Sequence, residues 1–296
     1  MRLLAVVLTV VIGAMLWQHF RYLEIRRNTV QDRQPLFYSS ARFHVMTFLE
    51  LAPEGETIAA LTRLREQFEG LGQPRWVYAG QVAFAMDSEQ LGPSRWDAVI
   101  LLEYASREAY ESAARRPAHR EALDAFQRTY SHGMQRPEIL NLGVPQFLLF
   151  RMFFDMLKGN WTAPALVPVF DAPESVRALM LNERMADLLR LAPVNDQALV
   201  VFNLMQPGTS EEQKANTGYG SKMLARMASL AHGPMHVGRA ITLEGRAAFE
   251  NVAIVYYPGV AYFAELLGSQ FFQEIIGDKK LGDTLAVPTV PILSRL

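Results

Sequence analysis

YYPGVAYFAELLGSQFFQEIIGDK, residues 256–279, begins as a strand, turns at Pro-Gly and continues as an apolar helix interrupted by a glycine. Residues 103–124, EYASREAYESAARRPAHREALD, have the same layout in polar letters. Sliding the chain by 153 residues puts Val99 on Val252, Leu101 on Ile254 and Tyr104 on Tyr257 without a gap. The two stretches therefore read as one structural unit used twice, and the rest of each half tests that reading.

In the first half FHVMTFLEL (43–51) is an apolar run of strand length. ETIAALTRLREQFEGLG (56–72) puts Ile58, Leu61, Leu64 and Phe68 on one helical face, with Gly70 and Gly72 as a stop. RWVYAGQVAFAM (75–86) and WDAVILLEY (96–104) read as strands, and a polar helix is predicted from Ser106 to about Gln127. A final extended piece holds Tyr130, Ser131, His132 and Met134. In the second half ALVVFNLM (198–205), MHVGRAITL (235–243), ENVAIVYY (250–257) and TLAVPTVPIL (284–293) are the strands. SEEQ (210–213) has capping-box spacing and opens a helix with Tyr219, Met223, Met227 and Leu230 inward and Gly233 as its end. The apolar helix of the opening stretch is expected to run to roughly Gly282. Both halves thus read strand, helix, strand, strand, helix, strand, the split βαβ or ferredoxin-like unit, and both carry a glycine in the second strand, Gly80 and Gly238.

Composition removes several function classes. A chain of 296 residues with half its letters apolar buries a substantial core. Its formal charge of -1 and lack of a basic run exclude the electrostatic footprint of a nucleic-acid binder. With no cysteine there is no disulfide, thiolate metal site or cysteine nucleophile. No His/Asp/Glu cluster has metal-ligand spacing, so no metal is expected, and no Walker A loop, dinucleotide fingerprint or nucleophile elbow is present.

LLAVVLTVVIGAMLW (3–17) has no charge and is followed by Phe20, Arg21 and Tyr22. It reads as a single-pass anchor over residues 1–22, of the kind that sits in a bacterial inner membrane, with a cleaved signal peptide as the rival. Arg21, Arg26, Arg27 and Arg33 behind it place the body on the cytoplasmic side, with the periplasm as the alternative. The expected organisation is anchor 1–22, linker 23–41, first unit 42–140, helical connector 141–196 and second unit 197–296. In the connector, FLLFRMFFDMLKGNW (147–161) gathers Arg151, Asp155 and Lys158 on one narrow face of an otherwise apolar helix. Two readings fit it: a helix lying in a membrane interface, or one buried between the units. A further helix is expected near Pro173 to Leu191.

Tyr257, Pro258, Gly259 and Phe263, then Ser269, Phe271 and Phe272, together with FNL (202–204) and FENVAIVYYP (249–258), resemble the dimeric α/β-barrel superfamily, in particular its small bacterial members. The first half departs from that pattern, with Ala105 in the proline position and Arg116-Pro117-Ala118-His119 replacing serine and aromatic. The resemblance implies an α+β fold in which two tandem ferredoxin-like units pack their sheets face to face as an intramolecular α/β barrel, in a monomer or homodimer. It also makes haem an alternative cofactor, with His44, His119, His132, His232 and His236 as the histidines to consider. No cofactor is otherwise expected.

Polar residues at apolar strand positions mark candidate chemistry, because burying them without partners costs several kcal/mol in order of magnitude. Asn203, His236, Tyr256 and, from the first helix, Tyr219 are the candidates for catalysis at the mouth of the second unit's cavity, with Lys222 one turn beyond Tyr219. Tyr78, Glu103 and His132 hold analogous places in the first unit, where Tyr130 joins them. The expected function is binding of a small apolar ligand, such as a lipid, isoprenoid, quinone or polyketide-like molecule, inside the barrel at a membrane. By analogy of fold alone this extends to cofactor-free oxygenation or cyclisation. The alternative is a non-catalytic accessory protein that presents Arg107, Glu108, Glu111, Arg115 and Arg116 to a membrane protein partner.

Overall fold

The structure, a computed structural model, describes residues 2–29, 42–135 (except 54, 70–73, 85–86 and 94), 147–169 (except 148–149, 152 and 160–164), 198–229 and 234–296 (except 247–248, 258, 278 and 280–281). Leu230, His232, Gly233, Pro258, Gly70, Gly72, Trp161 and the helix expected near Pro173 to Leu191 lie outside them. The elements in chain order are α1 (Arg2–Thr29), β1 (Phe43–Glu50), α2 (Thr57–Glu69), β2 (Arg75–Val82), β3 (Ala98–Tyr104), α3 (Arg107–Ala114), α4 (Pro117–Leu123) and β4 (Arg128–Gln135). They continue with β5 (Leu199–Met205), α5 (Ser210–Ser229), β6 (Pro234–Thr242), β7 (Asn251–Tyr257), α6 (Val260–Leu267), α7 (Gln270–Ile276) and β8 (Thr284–Pro291).

The eight strands form one closed barrel in the order β1-β3-β2-β8-β5-β7-β6-β4, with β4 returning to β1. Within each half the strand order is that of the ferredoxin-like unit, and all neighbours are antiparallel. The halves join at two seams, β2 with β8 and β4 with β6. A single chain therefore closes the α+β barrel that the resemblance implies, and among the described residues no edge strand is left unpaired.

The repeat is deeper than the letters suggest. β3, α3 and α4 recur 153 residues later as β7, α6 and α7 with the same bounds. Each predicted long helix is in fact two. The first breaks at Arg115-Arg116, where Pro117 takes the first position of α4 and lacks the N–H that a continuous helix would need. The second breaks at Gly268-Ser269, where the Ser269 hydroxyl accepts from Phe272 N at 3.2 Å and donates to Leu266 O at 2.6 Å. α7 then ends at Ile276, short of the expected Gly282. The bulges also repeat, between Trp76 and Tyr78 in β2 and between Pro234 and His236 in β6.

Other boundaries moved for local reasons. The capping box lies one residue before SEEQ: Thr209 N donates to Glu212 Oε2 at 2.7 Å, and Glu212 N to Thr209 Oγ1 at 3.3 Å. Ser210 is the first helical residue, so Thr209 is the cap and Glu212 the third position. Leu61, Leu64 and Phe68 are buried under the first unit as expected, and Met223 and Met227 under the second.

Among the described residues no helix is long and apolar enough to cross a membrane, so the transmembrane anchor expected over residues 1–22 is not supported. The uncharged run of fifteen residues reaches only about 22 Å at 1.5 Å per residue, short of a hydrocarbon core of roughly 30 Å. α1 does expose its apolar side chains, Leu3 at 80% and Trp17 at 60%. In the connector Phe147, Phe150, Phe153, Phe154 and Leu157 are also exposed, and Arg151 pairs with Asp155 at 3.6 Å. Burial between the units is thus not what this segment does.

Candidate functional site

Strand alternation sorts the predicted residues onto two sides of the sheet. Tyr78, His132, His236 and Tyr256 face the barrel interior, while Asn203 faces outward and Glu103 sits at the interior's rim. The grouping expected around the second unit, Asn203 and Tyr219 with His236 and Tyr256, is therefore divided by the sheet itself.

The interior is not the ligand cavity expected of it. Met46, Phe48, Tyr78, Phe202, Tyr256 and Ile254 are buried there in one continuous cluster with residues from all the strands of the second unit except β6. An eight-stranded barrel is just wide enough for side chains to fill, and aromatic rings fill this one. Its polar groups are tied to the packing. Tyr78 OH donates to Thr289 Oγ1 at 2.7 Å, and Thr289 in turn donates to Val200 O at 2.8 Å, a relay across β2, β8 and β5. Tyr130 OH lies 3.0 Å from His132 Nδ1, and burial pushes the His132 imidazole down to about 4. His44 Nδ1 donates to Arg42 O at 2.9 Å, its ring meets His236 edge-on at 4.9 Å, and its Nε2 is 3.5 Å from Glu103 Oε2.

At the rim, buried Glu103 also faces Arg42 at 3.6 Å and Arg75 at 3.8 Å. These arginines, with Arg116 and His119, line a cleft of about 430 Å³. His119 is not displayed to it as an open ligand, because its ring stacks on Phe68 at 5.0 Å and burial lowers its pKa.

The larger space, about 510 Å³, lies outside the barrel between the sheet of the second unit and its helices. β5, β7 and β8 give it a floor of Val201, Asn203, Ala253, Val255, Ala286 and Pro288. α5 closes one side with Tyr219, Gly220, Met223 and Met227, and α6 and α7 the other with Phe263, Leu267, Phe272 and Ile276. In the first unit Leu61, Leu64, Phe68, Tyr104, Tyr110 and Phe126 are buried together in the corresponding layer, and Phe68 and Tyr104 also border the smaller cleft. The apolar second helix has a second neighbour as well: Gln270 N donates to Val167 O at 2.7 Å and Val169 N to Gly268 O at 2.9 Å, so the connector runs across the break between α6 and α7.

The polar complement of this cavity is small. Asn203 donates its amide hydrogens to Ala253 O at 3.0 Å and Val201 O at 3.3 Å, leaving its carbonyl oxygen as an acceptor. Burial pushes the Tyr219 phenol up to about 12 and also raises the Tyr257 phenol, helped by Tyr219 and Tyr262 nearby. Lys279, half-buried just beyond α7, has its pKa lowered by burial. Lys222, expected to help, is exposed. Sequence reasoning missed Lys279, which is the last letter of the stretch quoted first and stands between Asp278 and Lys280 in a short charged run after the apolar helix.

No histidine among the described residues lines this cavity, so the residues present do not supply an imidazole to hold a haem there. Among the described residues no group of three or more His, Asp or Glu is placed to hold a metal ion.

No protein-family model matches the chain, and no curated protein matches it. Solved structures similar to it include an anthrone oxidase-like protein, at 10% identity and a TM-score of 0.43, covering 86% of this chain and 92% of that one. A chlorite dismutase mutant from Candidatus Nitrospira defluvii, in complex with cyanide, is similar at 11% identity and a TM-score of 0.42, covering 89% and 96%. At that level of likeness neither says anything about the chemistry of this cavity.

Proposed function

We propose that the chain binds a small, mainly apolar molecule between the sheet and helices of its second half. The observation that carries this reading is the cavity of about 510 Å³ in the second unit, apolar in most of its lining and larger than the cleft of about 430 Å³ beside the first unit. Cavities of this size lined by aromatic and aliphatic side chains, with a few polar groups to orient the occupant, are what small-molecule sites look like. Of the groups expected to position an enolisable substrate, Tyr219 and Asn203 line this space, and His236 and Tyr256 do not. Cofactor-free oxidation or cyclisation would therefore use Tyr219 and Asn203 as the hydrogen-bonding groups at the substrate's oxygen.

The site of action we propose is a lipid surface, on which the exposed apolar side chains of α1 and of residues 147–157 lie. Co-sedimentation of the full chain with phospholipid vesicles, lost on placing Asp at Leu4 and Leu8, checks this; sedimentation equal in both proteins refutes it.

Gly220 offers a direct test of the cavity. A Cβ there meets nothing within 4 Å, and the residue lies inside α5, so Gly220→Leu fills the space without straining the helix. Native mass spectrometry and solvent extraction of the purified protein should recover an apolar molecule from the wild type and little from the variant. Equal recovery from both, or none from either, overturns the reading.

A further inference from the structure

We propose that the occupant of the sheet–helix cavity is an amphiphile with a single anionic head, a carboxylate or a phosphate monoester, whose charge pairs with Lys279. The inference rests on the reading that this cavity holds an apolar molecule, and adds to it the class of that molecule.

Lys279 is the one charged side chain among the residues lining the cavity, and every other lining group is apolar or neutral. It is held in place from behind: its backbone N–H donates to Ile276 O at 3.0 Å, so the chain leaves α7 by a fixed turn. Among the described residues no carboxylate pairs with it, although seven ion pairs form elsewhere. The acidic residues of α6 and α7, Glu265 and Glu274, are exposed and do not line the cavity, and Asp278, which precedes Lys279, lies outside the described residues. A half-buried ammonium beside a mainly apolar lining is poorly solvated, and the lowered pKa of Lys279 reflects that burial. An anion arriving on a ligand supplies a counter-charge that no carboxylate among the described residues gives, while the ligand's tail takes the apolar floor. Asn203, whose carbonyl oxygen stays open as an acceptor, and Tyr219 can meet a hydroxyl further along the same molecule. A neutral apolar ligand would leave the amine without a counter-charge from the occupant, and a ligand with two charges would leave one of them against Val, Met and Phe side chains.

The experiment compares dodecanoic acid, dodecyl phosphate and 1-dodecanol, each below its aggregation threshold, by isothermal titration calorimetry on the full-length protein. Wild type should bind the acid or the phosphate about ten-fold or more tightly than the alcohol, the scale of one charge-assisted hydrogen bond; which of the two wins identifies the head. Lys279→Met should lower the anion's affinity to that of the alcohol and leave the alcohol unchanged, and Lys279→Arg should restore the preference. Equal binding of acid, phosphate and alcohol by the wild type, or a preference that survives Lys279→Met, overturns the inference and leaves the apolar-cavity reading standing. Binding of none of the three, with Gly220→Leu indistinguishable from wild type, overturns the earlier reading itself.

Discussion

Gly238→Ala strikes the seam that joins the two halves. A Cβ at this position would sit 2.6 Å from Gln135 O and 3.2 Å from Gln135 C, both backbone atoms of β4, and 3.3 Å from Met134 Cγ. A flexible side chain yields cheaply, but a strand backbone does not. The β4–β6 seam spans four residue pairs, from His132 with Thr242 to Gln135 with Arg239. Overpacking of this kind costs about 1–3 kcal/mol, and loosening one seam hydrogen bond adds about 1 kcal/mol, so about 2–4 kcal/mol is expected. Gly80→Ala, at the other seam, meets the Tyr78 ring and hydroxyl at 2.6 Å and Thr289 Cβ at 2.8 Å, and should cost at least as much, because both residues are fully buried and tied to each other. Gly220→Ala is the internal control: it meets nothing within 4 Å and should stabilise α5 by roughly 0.5–1 kcal/mol. Urea unfolding followed by tryptophan fluorescence and by circular dichroism measures all three. A Gly238→Ala protein within about 0.5 kcal/mol of wild type would refute the claim that the halves close against each other at this contact.

His132 gives a pH signature. Its folded pKa of about 4 lies below the ordinary 6.5 because the imidazole is buried, so between these values the unfolded chain binds the extra proton and stability falls as pH falls. The loss through that window should be about 3 kcal/mol larger in wild type than in His132→Gln; parallel stability curves from pH 7 to pH 4 would show that the site is hydrated. Ser269→Ala removes both hydrogen bonds at the α6–α7 break, on a residue with no exposed surface, and should cost about 1–2 kcal/mol in thermal or urea unfolding. An unchanged midpoint would mean that the connector strand at Val167 and Val169 suffices to hold the corner.

Much of the architecture is legible in the letters. Alternation in NVAIVYY is enough to separate Val252, Ile254 and Tyr256 from Ala253, Val255 and Tyr257, and the structure puts the first set inside the barrel. The element order of both halves follows from periods of two and 3.6 residues, which are local properties of the chain. The finer breaks needed more than local pattern. Apolar periodicity runs through Gly268-Ser269 without a pause, yet the helix stops there because Ser269 and the connector at 167–169 satisfy the groups that the break exposes.

The site was less legible, for a physical reason. Asn203 and His236 look alike as polar letters in apolar strands, but only pairing fixes the face each one shares. Asn203 stands beside Ala253 and Ala286 on the outside, and His236, paired with Ile254, shares the interior face with it. Whether a barrel interior is open or filled depends on the sum of side-chain volumes from eight strands, which no single strand reveals. By itself the sequence determined two α+β units of one design, and which residues of each strand lie on a common face. Tertiary structure alone decided that the rings close the interior, that the open space lies under the helices of the second unit, and that Lys279 stands at it without a counter-charge among the described residues. Volume and charge pairing are properties of residues brought together from distant parts of the chain, and only the closed fold brings them together.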